Sequence, residues 1–521
     1  MKASDPTVYG SSWFAATMAA TPTWGRLTFD LDVDVCVIGG GLAGLTTARE
    51  VARRGWTVAV LEAKRIACGA SGRNTGFVVP GFGDDIARII ERVGLERAKA
   101  LWTLSESGVE YVKSTIRETG MTGVRPVPGW LNVSKVDQTE EFRQRLDMFF
   151  DEFGLEIEVW SPERVRDVLK SERYFHAVHF PQAFSIHPLN YALGLAAAAE
   201  QAGARIFEET PALSIDPAGV RKRVVTPSAR VRASHIVLAG STRLGAVAPH
   251  VSNTVIPVTS YVVTTAPLGD RLAQAITYTG AVSDTQRADS HYRIVNGDRL
   301  MWGGRVTTWS SDPQKMAPQL VADIARIYPQ LADVPIEYSW SGEMAFAVHK
   351  MPQIGEVTPG IWLASAFGGH GINTTAMAGM LVARGLVDGD DTWRLFLPYE
   401  LIWAGGIGGR AATQIAYWVR RTSESIAMRN AQRREAEQRG EVLQPRRRGG
   451  IAPADPTIAP MAEPLVAPSL ADPPLMPRRA ARPPIASEPA PPQAPVAEVP
   501  TEDTLSTGQG SSRSLKHRAQ R

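Results

Sequence analysis

The run Asp34-Val35-Cys36-Val37-Ile38 leads without a break into Gly39-Gly40-Gly41-Leu42-Ala43-Gly44, and this junction restricts the chain to a few folds. An apolar run without alternation suits a strand buried on both faces. The spacing Gly39-x-Gly41-x-x-Gly44 suits a tight turn into a helix, and Leu45, Ala48, Val51 and Ala52 recur at helical spacing until Gly55 stops it. Trp56 to Leu61 reads as a second strand, followed by Glu62 and Ala63. Strand, glycine turn, helix, strand and terminal acid in register make a Rossmann-type βαβ unit. Its first glycine permits the turn, the second lets a pyrophosphate approach the backbone, and the third lets helix and strand pack. Gly39, Gly41, Leu42, Ala43 and Gly44 are therefore the candidate phosphate-binding residues, helped by the amides and positive dipole at the helix start. Glu62, 23 residues after Gly39, is placed to accept hydrogen bonds from ribose hydroxyls, and its charge disfavours a 2′-phosphate.

Charge narrows the partners. The 521 residues hold 56 Lys+Arg and 53 Asp+Glu, but residues 421–521 alone hold 15 against 11, so the remainder is close to neutral. A neutral body without a basic face argues against nucleic acid, which is bound through clustered Lys and Arg. Two cysteines, Cys36 and Cys68, supply neither a disulfide framework nor a thiolate metal site, which fits a reducing, cytoplasmic setting and no metal. The apolar stretch Trp13 to Ala20 is broken by Thr17 and makes a poor secretory segment, and no run of about 18 apolar residues suits a spanning helix.

Short apolar strands alternate with helical patterns along most of the chain, an α/β organisation. Pro188 opens a helix closed by Gly203, and Ala204 to Phe207 and Ile236 to Ala239 read as strands extending the nucleotide-binding sheet. Ile361 to Ala366 leads through Gly368-Gly369-His370-Gly371 into another helix. Ala411 to Arg439 reads as a packed helix whose last turns project into water. Its basic residues leave a peripheral membrane contact as the alternative. Beyond it, 16 of the 37 prolines fall within 441–521 beside short Arg runs, a composition expected to stay disordered, its charges solvated or docked on an acidic protein.

Seven residues past Glu62 begins Gly69-Ala70-Ser71-Gly72-Arg73-Asn74-Thr75-Gly76, a loop of small residues with one cation that suits a second phosphate contact. With Val37 to Gly44 and Glu62, this loop resembles the FAD-dependent amine and D-amino-acid oxidase family, and within it the gamma-glutamylputrescine oxidase subgroup. The likeness continues through Ile186-His187-Pro188-Leu189-Asn190, His291-Tyr292-Arg293, Asp298 to Gly304, Pro352-Gln353-Ile354-Gly355 and Gly369-His370-Gly371, covering roughly residues 7–420. It implies an α/β fold: a Rossmann-like FAD-binding domain from residues 25–90, 183–256 and 342–392, with an inserted α+β substrate domain, an antiparallel sheet, from 91–182 and 257–341. A C-terminal helical segment, 393–440, and the Pro-rich tail, 441–521, would follow.

The resemblance also implies that Ser71, Arg73 and Asn74 lie beside the FAD phosphates and ribityl chain, and a backbone group near Leu213 against the adenine. Ala63 and Gly240 would complete the nucleotide end, and Gly369, Gly371 and Ile372 the flavin end, where a helix dipole favours the anionic reduced ring. Thr75 replaces a glycine usual in the subgroup. His370 is expected to support the flavin by packing and hydrogen bonding, with a role as base the alternative. The turn Asn296-Gly297-Asp298-Arg299 reads as a hairpin between His291 to Val295 and Leu300 to Val306. Tyr261, Tyr292, Trp302 and Trp340 are candidate walls of an apolar amine site, against plain core as the alternative.

Amino-acid oxidases of the family carry an arginine for the substrate carboxylate in the segment that here reads Trp340-Ser341-Gly342-Glu343-Met344. Its absence points to an amine, with Glu343 a candidate partner for the ammonium group. Family members that tether the flavin do so through a cysteine near the Pro352 to Gly355 segment, which has none, so non-covalent FAD is expected. The implied reaction moves a hydride from the carbon beside an unprotonated amine to flavin N5, and the imine hydrolyses to an aldehyde. O2 is the expected electron acceptor. A quinone or carrier protein, a scaffold role through the tail, and a nicotinamide enzyme are the competing readings.

Overall fold

The apolar run at Asp34 becomes the centre of a sheet. In the computed structural model, which describes residues 6–136, 146, 149–284 and 290–438, Leu31–Ile38 lies parallel between Arg230–Leu238 and Val58–Leu61. Val35, Cys36 and Val37 are fully buried, as a central strand covered on both faces requires. Outward from this trio run Arg205–Phe207 on one side and Ile361–Ser365 on the other, all parallel, with Gln353–Thr358 antiparallel at the edge. The antiparallel pair Ser214–Asp216 and Lys222–Val225 hangs from Arg230–Leu238.

Three helices, Leu42–Arg53, Pro188–Gln201 and Gly371–Val387, cover one face of this sheet. The first and third approach closely because residue 379 is glycine: a Cβ there would lie 2.5 Å from Thr46 Cβ. A separate cluster built on Leu31, Val33, Cys36, Leu238 and Leu363 covers the other face.

The second sheet runs Ile336–Ala347, Val255–Thr265, Arg299–Thr307, His291–Val295, Ala281–Asp284, Val127–Val133, Ala177–Ser185, Phe77–Val78, with Glu158–Trp160 also paired to Ala177–Ser185. The antiparallel expectation holds for every pair but one. Ala281–Asp284 lies parallel to Val127–Val133, and this pair joins the two insertions into one sheet. The hairpin forms as read, with Asn296 at φ 55° and Gly297 at φ 78° supplying the left-handed turn. Phe77–Val78 pairs into this second sheet, and Ile336–Ala347 runs unbroken through residues 341 and 342.

Alternation along these strands creates two faces. Trp130, Phe180, Val262, Val295, Met301 and Trp340 pack with the helices of the first sheet, on what we call the inner face. Leu131, Tyr261, Val263, Tyr292, Leu300 and Trp302 pack on the outer face under the helix Pro313–Ile327. The N-terminal residues join the inner core: Phe14 is fully buried, edge-on to Trp340 at 5.6 Å and to His187 at 5.0 Å. The helix expected from Ala411 spans Gly406–Gln438. The Pro-rich stretch 441–521, expected to be disordered, lies outside the described residues.

Candidate cofactor and active site

The glycine turn is fixed by its neighbours. Gly39 has φ +117°, and a Cβ there would lie 2.6 Å from the Ala239 carbonyl oxygen and 3.0 Å from Gly240 N, so the two strand ends meet at a point no side chain fits. A Cβ on Gly44 would lie 2.0 Å from the Gly39 carbonyl oxygen, which is the close helix–strand packing that the third glycine allows. The helix begins at Leu42 with Gly41 as a cap that offers no side chain, leaving its dipole and first amides directed at the turn.

Glu62 is drawn over that turn. One carboxylate oxygen accepts from Gly40 N at 2.8 Å, and the other from Lys64 N at 2.8 Å. Burial pushes its carboxyl above the usual range, with these two amide bonds opposing. A second buried acid, Glu208, holds the next stretch: it accepts from Ile66 N at 2.8 Å, from Arg65 at 2.6 Å and from Trp24 N at 3.2 Å.

Through Ser71 the second loop docks on the first, its hydroxyl accepting from Leu42 N at 3.0 Å. Arg73 serves three separate parts of the chain, donating to the carbonyls of Cys68 at 3.0 Å, Tyr9 at 3.1 Å and Ser341 at 3.4 Å. Asn74 closes its own turn, donating to Ala70 O and Ser71 O and accepting from Gly76 N at 2.8 Å. The polar atoms of Arg73 and Asn74 thus shape the loop and lock it to the second sheet, where Trp340 Nε1 returns a bond to Arg73 O at 2.9 Å. Leu213 is exposed, and its N–H donates to Val225 O at 2.8 Å. Ala63 is exposed beside Glu62.

The second glycine loop faces Gly81 to Gly83. A Cβ on Gly83 would meet the Gly368 carbonyl oxygen at 2.4 Å, and one on Gly369, at φ +102°, would meet Gly83 Cα at 2.8 Å. The helix Gly371–Val387 starts here, again without a side-chain cap, and Ile372 is buried in its first turn. Burial lowers the His370 imidazole to about 4, against a hydrogen bond to the Phe82 backbone that works the other way. His370 is thus neutral at pH 7, and its Nδ1 has no hydrogen-bond partner among the described residues. Its ring is edge-on to Trp130 at 6.5 Å, and Trp130 stacks on Phe180 at 4.7 Å.

Three of the aromatic candidates are corrected. Tyr261, Tyr292 and Trp302 lie on the outer face, away from both glycine loops. Tyr292 stacks on Trp302 at 4.4 Å with rings 6° apart, and its hydroxyl bonds Tyr328 at 2.7 Å and Tyr174 at 3.1 Å. Tyr261 OH bonds Thr307 Oγ1 at 2.7 Å and accepts from Ser311 N. One residue of register separates them from the inner face, and only Trp340 of the four lies there. Glu343 accepts from Thr242 Oγ1 at 2.7 Å.

The inner face instead presents residues that the aromatic pattern did not reveal: Trp130, Phe180, His291 and Arg293. His291 is edge-on to Phe77 at 5.8 Å, in a space that exists because its cross-strand partner is Gly303; a Cβ at 303 would lie 2.2 Å from the imidazole. Arg293 is buried and donates to Ile186 O at 2.7 Å, its Nε finds no partner among the described residues, and burial lowers its guanidinium to about 9. Among the described residues no ion pair to it forms, so it is a buried cation able to take an anion at the seam between the sheets. Strand parity relative to the hairpin turn was the available signal, but parity alone does not say which face is inner.

Two uncapped helix starts, a turn that admits only glycine, and a carboxylate held over it suit a dinucleotide carrying a flavin. The comparisons with known proteins agree. Residues 34–384 match the DAO family, described as FAD dependent oxidoreductase, and the chain belongs to this family. It is 32% identical over 390 residues to gamma-glutamylputrescine oxidoreductase of Escherichia coli (strain K12), covering 74% of this chain and 90% of that protein. It is 29% identical over 394 residues to the probable oxidoreductase OrdL of Haemophilus influenzae, covering 73% and 90%. Among solved structures, L-proline dehydrogenase from P. horikoshii superposes with a TM-score of 0.61 at 19% identity, covering 71% of this chain and 98% of that one. Glycine oxidase from Bacillus cereus does so with 0.58 at 20% identity, covering 70% and 98%. At these identities the structural likeness is one of fold. The chain is an FAD-dependent oxidoreductase of a family that acts on amines or amino acids.

Proposed function

We propose that this protein oxidises a C–N bond of a primary or secondary amine, of the gamma-glutamylputrescine type or a relative of it, with non-covalent FAD and O2 as acceptor. The observation that carries the reading is the convergence of both glycine turns, each opening an uncapped helix, with the inner face of the second sheet. When bound, FAD accepts the hydride from the carbon beside the amine nitrogen, and the imine product hydrolyses in water.

In this reading Gly39, Gly41, Leu42, Ala43, Gly44 and Ser71 hold the pyrophosphate, Glu62 with Ala63 the ribose, and the backbone at Leu213 and Gly240 the nucleotide end. Gly369, Gly371 and Ile372 hold the flavin end. His370 is too weak a base to compete with an amine for a proton at neutral pH, so it positions by packing and hydrogen bonding. Trp130 and Phe180 exclude water, and the Arg293 cation favours negative charge developing near the seam. The first sheet and its helices, within 25–90, 183–256 and 342–392, carry the cofactor, and the second sheet, drawn mainly from 91–182 and 257–341 with Phe77–Val78 and the end of Ile336–Ala347 added, carries the substrate. Two free cysteines, one buried, support a cytoplasmic enzyme.

The test is the absorbance spectrum of the purified protein before and after anaerobic addition of single amines and amino acids. Bands near about 375 and 450 nm that bleach with an amine support the proposal. A yellow protein bleached only by amino acids overturns the substrate class, and a colourless one that FAD does not reconstitute overturns the cofactor. Slow re-oxidation by air with fast re-oxidation by a quinone would replace O2 by a quinone as acceptor.

A further inference from the structure

The anionic pyrophosphate of FAD calls for positive charge, and the first glycine turn supplies little of it. The uncapped start of Leu42–Arg53 contributes about half an elementary charge. Arg73, the cation of the neighbouring loop, is taken up by the carbonyls of Cys68, Tyr9 and Ser341, and Arg65 by the buried Glu208. A cation from a more distant part of the chain can complete the set.

Arg243 stands where such a cation is called for. It ends one turn of 3-10 helix, Ser241–Arg243, that follows the strand Arg230–Leu238. The turn leaves from the point where the two strand ends meet, since a Cβ on Gly39 would lie 3.0 Å from Gly240 N. Within it Ser241 takes φ 54°, and the Arg243 N–H donates to Gly240 O at 3.0 Å. On its other side Thr242 donates to Glu343 at 2.7 Å. Glu343 is two residues from Ser341, whose carbonyl accepts from Arg73, and a Cβ on the intervening Gly342 would lie 3.5 Å from Arg73 Cβ. The Ser71 to Arg73 loop closes back on the glycine turn, since a Cβ on Gly41 would lie 2.9 Å from Ser71 Oγ. Glycine turn, loop and the Arg243 turn thus border one opening.

The Arg243 side chain is exposed, and among the described residues it has no ion pair and no side-chain hydrogen bond. Its charge acts on three groups around the opening. Burial raises the Glu62 carboxyl and the Cys68 thiol, and Arg243 opposes both shifts. Burial lowers the Arg73 guanidinium, and repulsion from Arg243 adds to that. An anion beside Arg73 and Arg243 relieves this repulsion. The turn is short, so the sequence pattern marks the strand before it and passes over the arginine.

We propose that Arg243 is a cofactor-binding residue that pairs with the FAD pyrophosphate and supplies the charge that Arg73 does not. The inference rests on the assignment of the pyrophosphate to the first glycine turn. The test dilutes the full-length, FAD-loaded protein into a series of free FAD concentrations and reads bound flavin by fluorescence, at low and at high salt. Arg243→Gln should raise the Kd for FAD about tenfold or more at low salt. Wild-type affinity should fall more steeply with salt than that of Arg243→Gln, and Arg243→Lys should recover part of the loss. Far-UV circular dichroism at saturating FAD reports the fold of each variant. A Kd and salt dependence unchanged in Arg243→Gln overturn this proposal alone, whereas a wild type that binds no FAD overturns the reading beneath it as well. A loss for Lys64→Gln, the exposed cation beside Glu62, with Arg243→Gln silent, assigns the charge to Lys64 instead. An Arg243→Gln effect that disappears in a Glu62→Gln background also overturns it, because Arg243 would then act only by orienting Glu62.

Discussion

The two faces of the second sheet are built from neighbouring residues of the same strands and carry different chemistry. On the outer face Tyr292, Trp302 and Tyr261 are fully buried: Tyr292 stacks on Trp302 and bonds the hydroxyls of Tyr328 and Tyr174 in the same core, and Tyr261 bonds Thr307. On the inner face Arg293 is buried with one carbonyl partner, His291 occupies space left by a glycine, and Trp130 turns its edge to His370. Close aromatic packing and paired phenols on one side hold the sheet in place, and on the other Arg293 Nε and His370 Nδ1, without partners among the described residues, leave polar capacity for the proposed cofactor and substrate.

Substitutions on the two faces should therefore separate stability from turnover. The largest effect is expected for Trp302→Ala, which should cost about 3–5 kcal/mol in urea unfolding with kcat per folded, flavin-loaded molecule unchanged. A fall in kcat out of proportion to the folded fraction would merge the two faces. Next is Gly303→Ala, whose Cβ would lie 2.2 Å from the His291 ring and must displace it. Here kcat/KM should fall roughly a hundredfold while stability changes little.

Arg293→Met should leave stability unchanged or raised, because it removes a buried cation with one carbonyl partner, and should lower kcat/KM roughly tenfold or more. A strongly destabilised variant with normal kinetics would return Arg293 to the structural side. Smaller again is Tyr292→Phe, expected to cost about 1–2 kcal/mol through the Tyr328 and Tyr174 hydroxyls with kinetics unaltered.

A pH series tests the histidines. Burial lowers His187 to about 3, and His349 and His370 to about 4. The unfolded chain takes up these protons near the ordinary value of about 6.5. Between that value and about 4 the unfolded state holds more protons, so stability falls as pH falls through this window. The urea midpoint should be lower at pH 5 than at pH 7, and His370→Gln should remove part of that slope.

Much of the first sheet was legible because the constraints there are local. A glycine at 39 reports a backbone no other residue adopts, and an unbroken apolar strand reports burial on both sides, whatever the rest of the chain does. The hairpin at Asn296-Gly297 was legible for the same reason. The roles of Arg73 and Asn74 were less so, since a cation in a glycine loop reads as a phosphate contact until the carbonyls of Tyr9 and Ser341 are found beside it.

The face of the second sheet could not be read at all. Alternation separates Tyr292 from Arg293, but the helices that cover each side come from residues distant in sequence, and they decide which of the two is inner. The C-terminal helix makes the same point: its amphipathic pattern was in the sequence, yet its polar side docks because Asp323 and Thr308 wait there. The sequence alone determined the nucleotide-binding turn, its strands and the family, because backbone sterics and strand burial act over a few residues. Tertiary structure decided which side chains meet at the site and which face is left exposed, because those choices rest on long-range packing that no local pattern encodes.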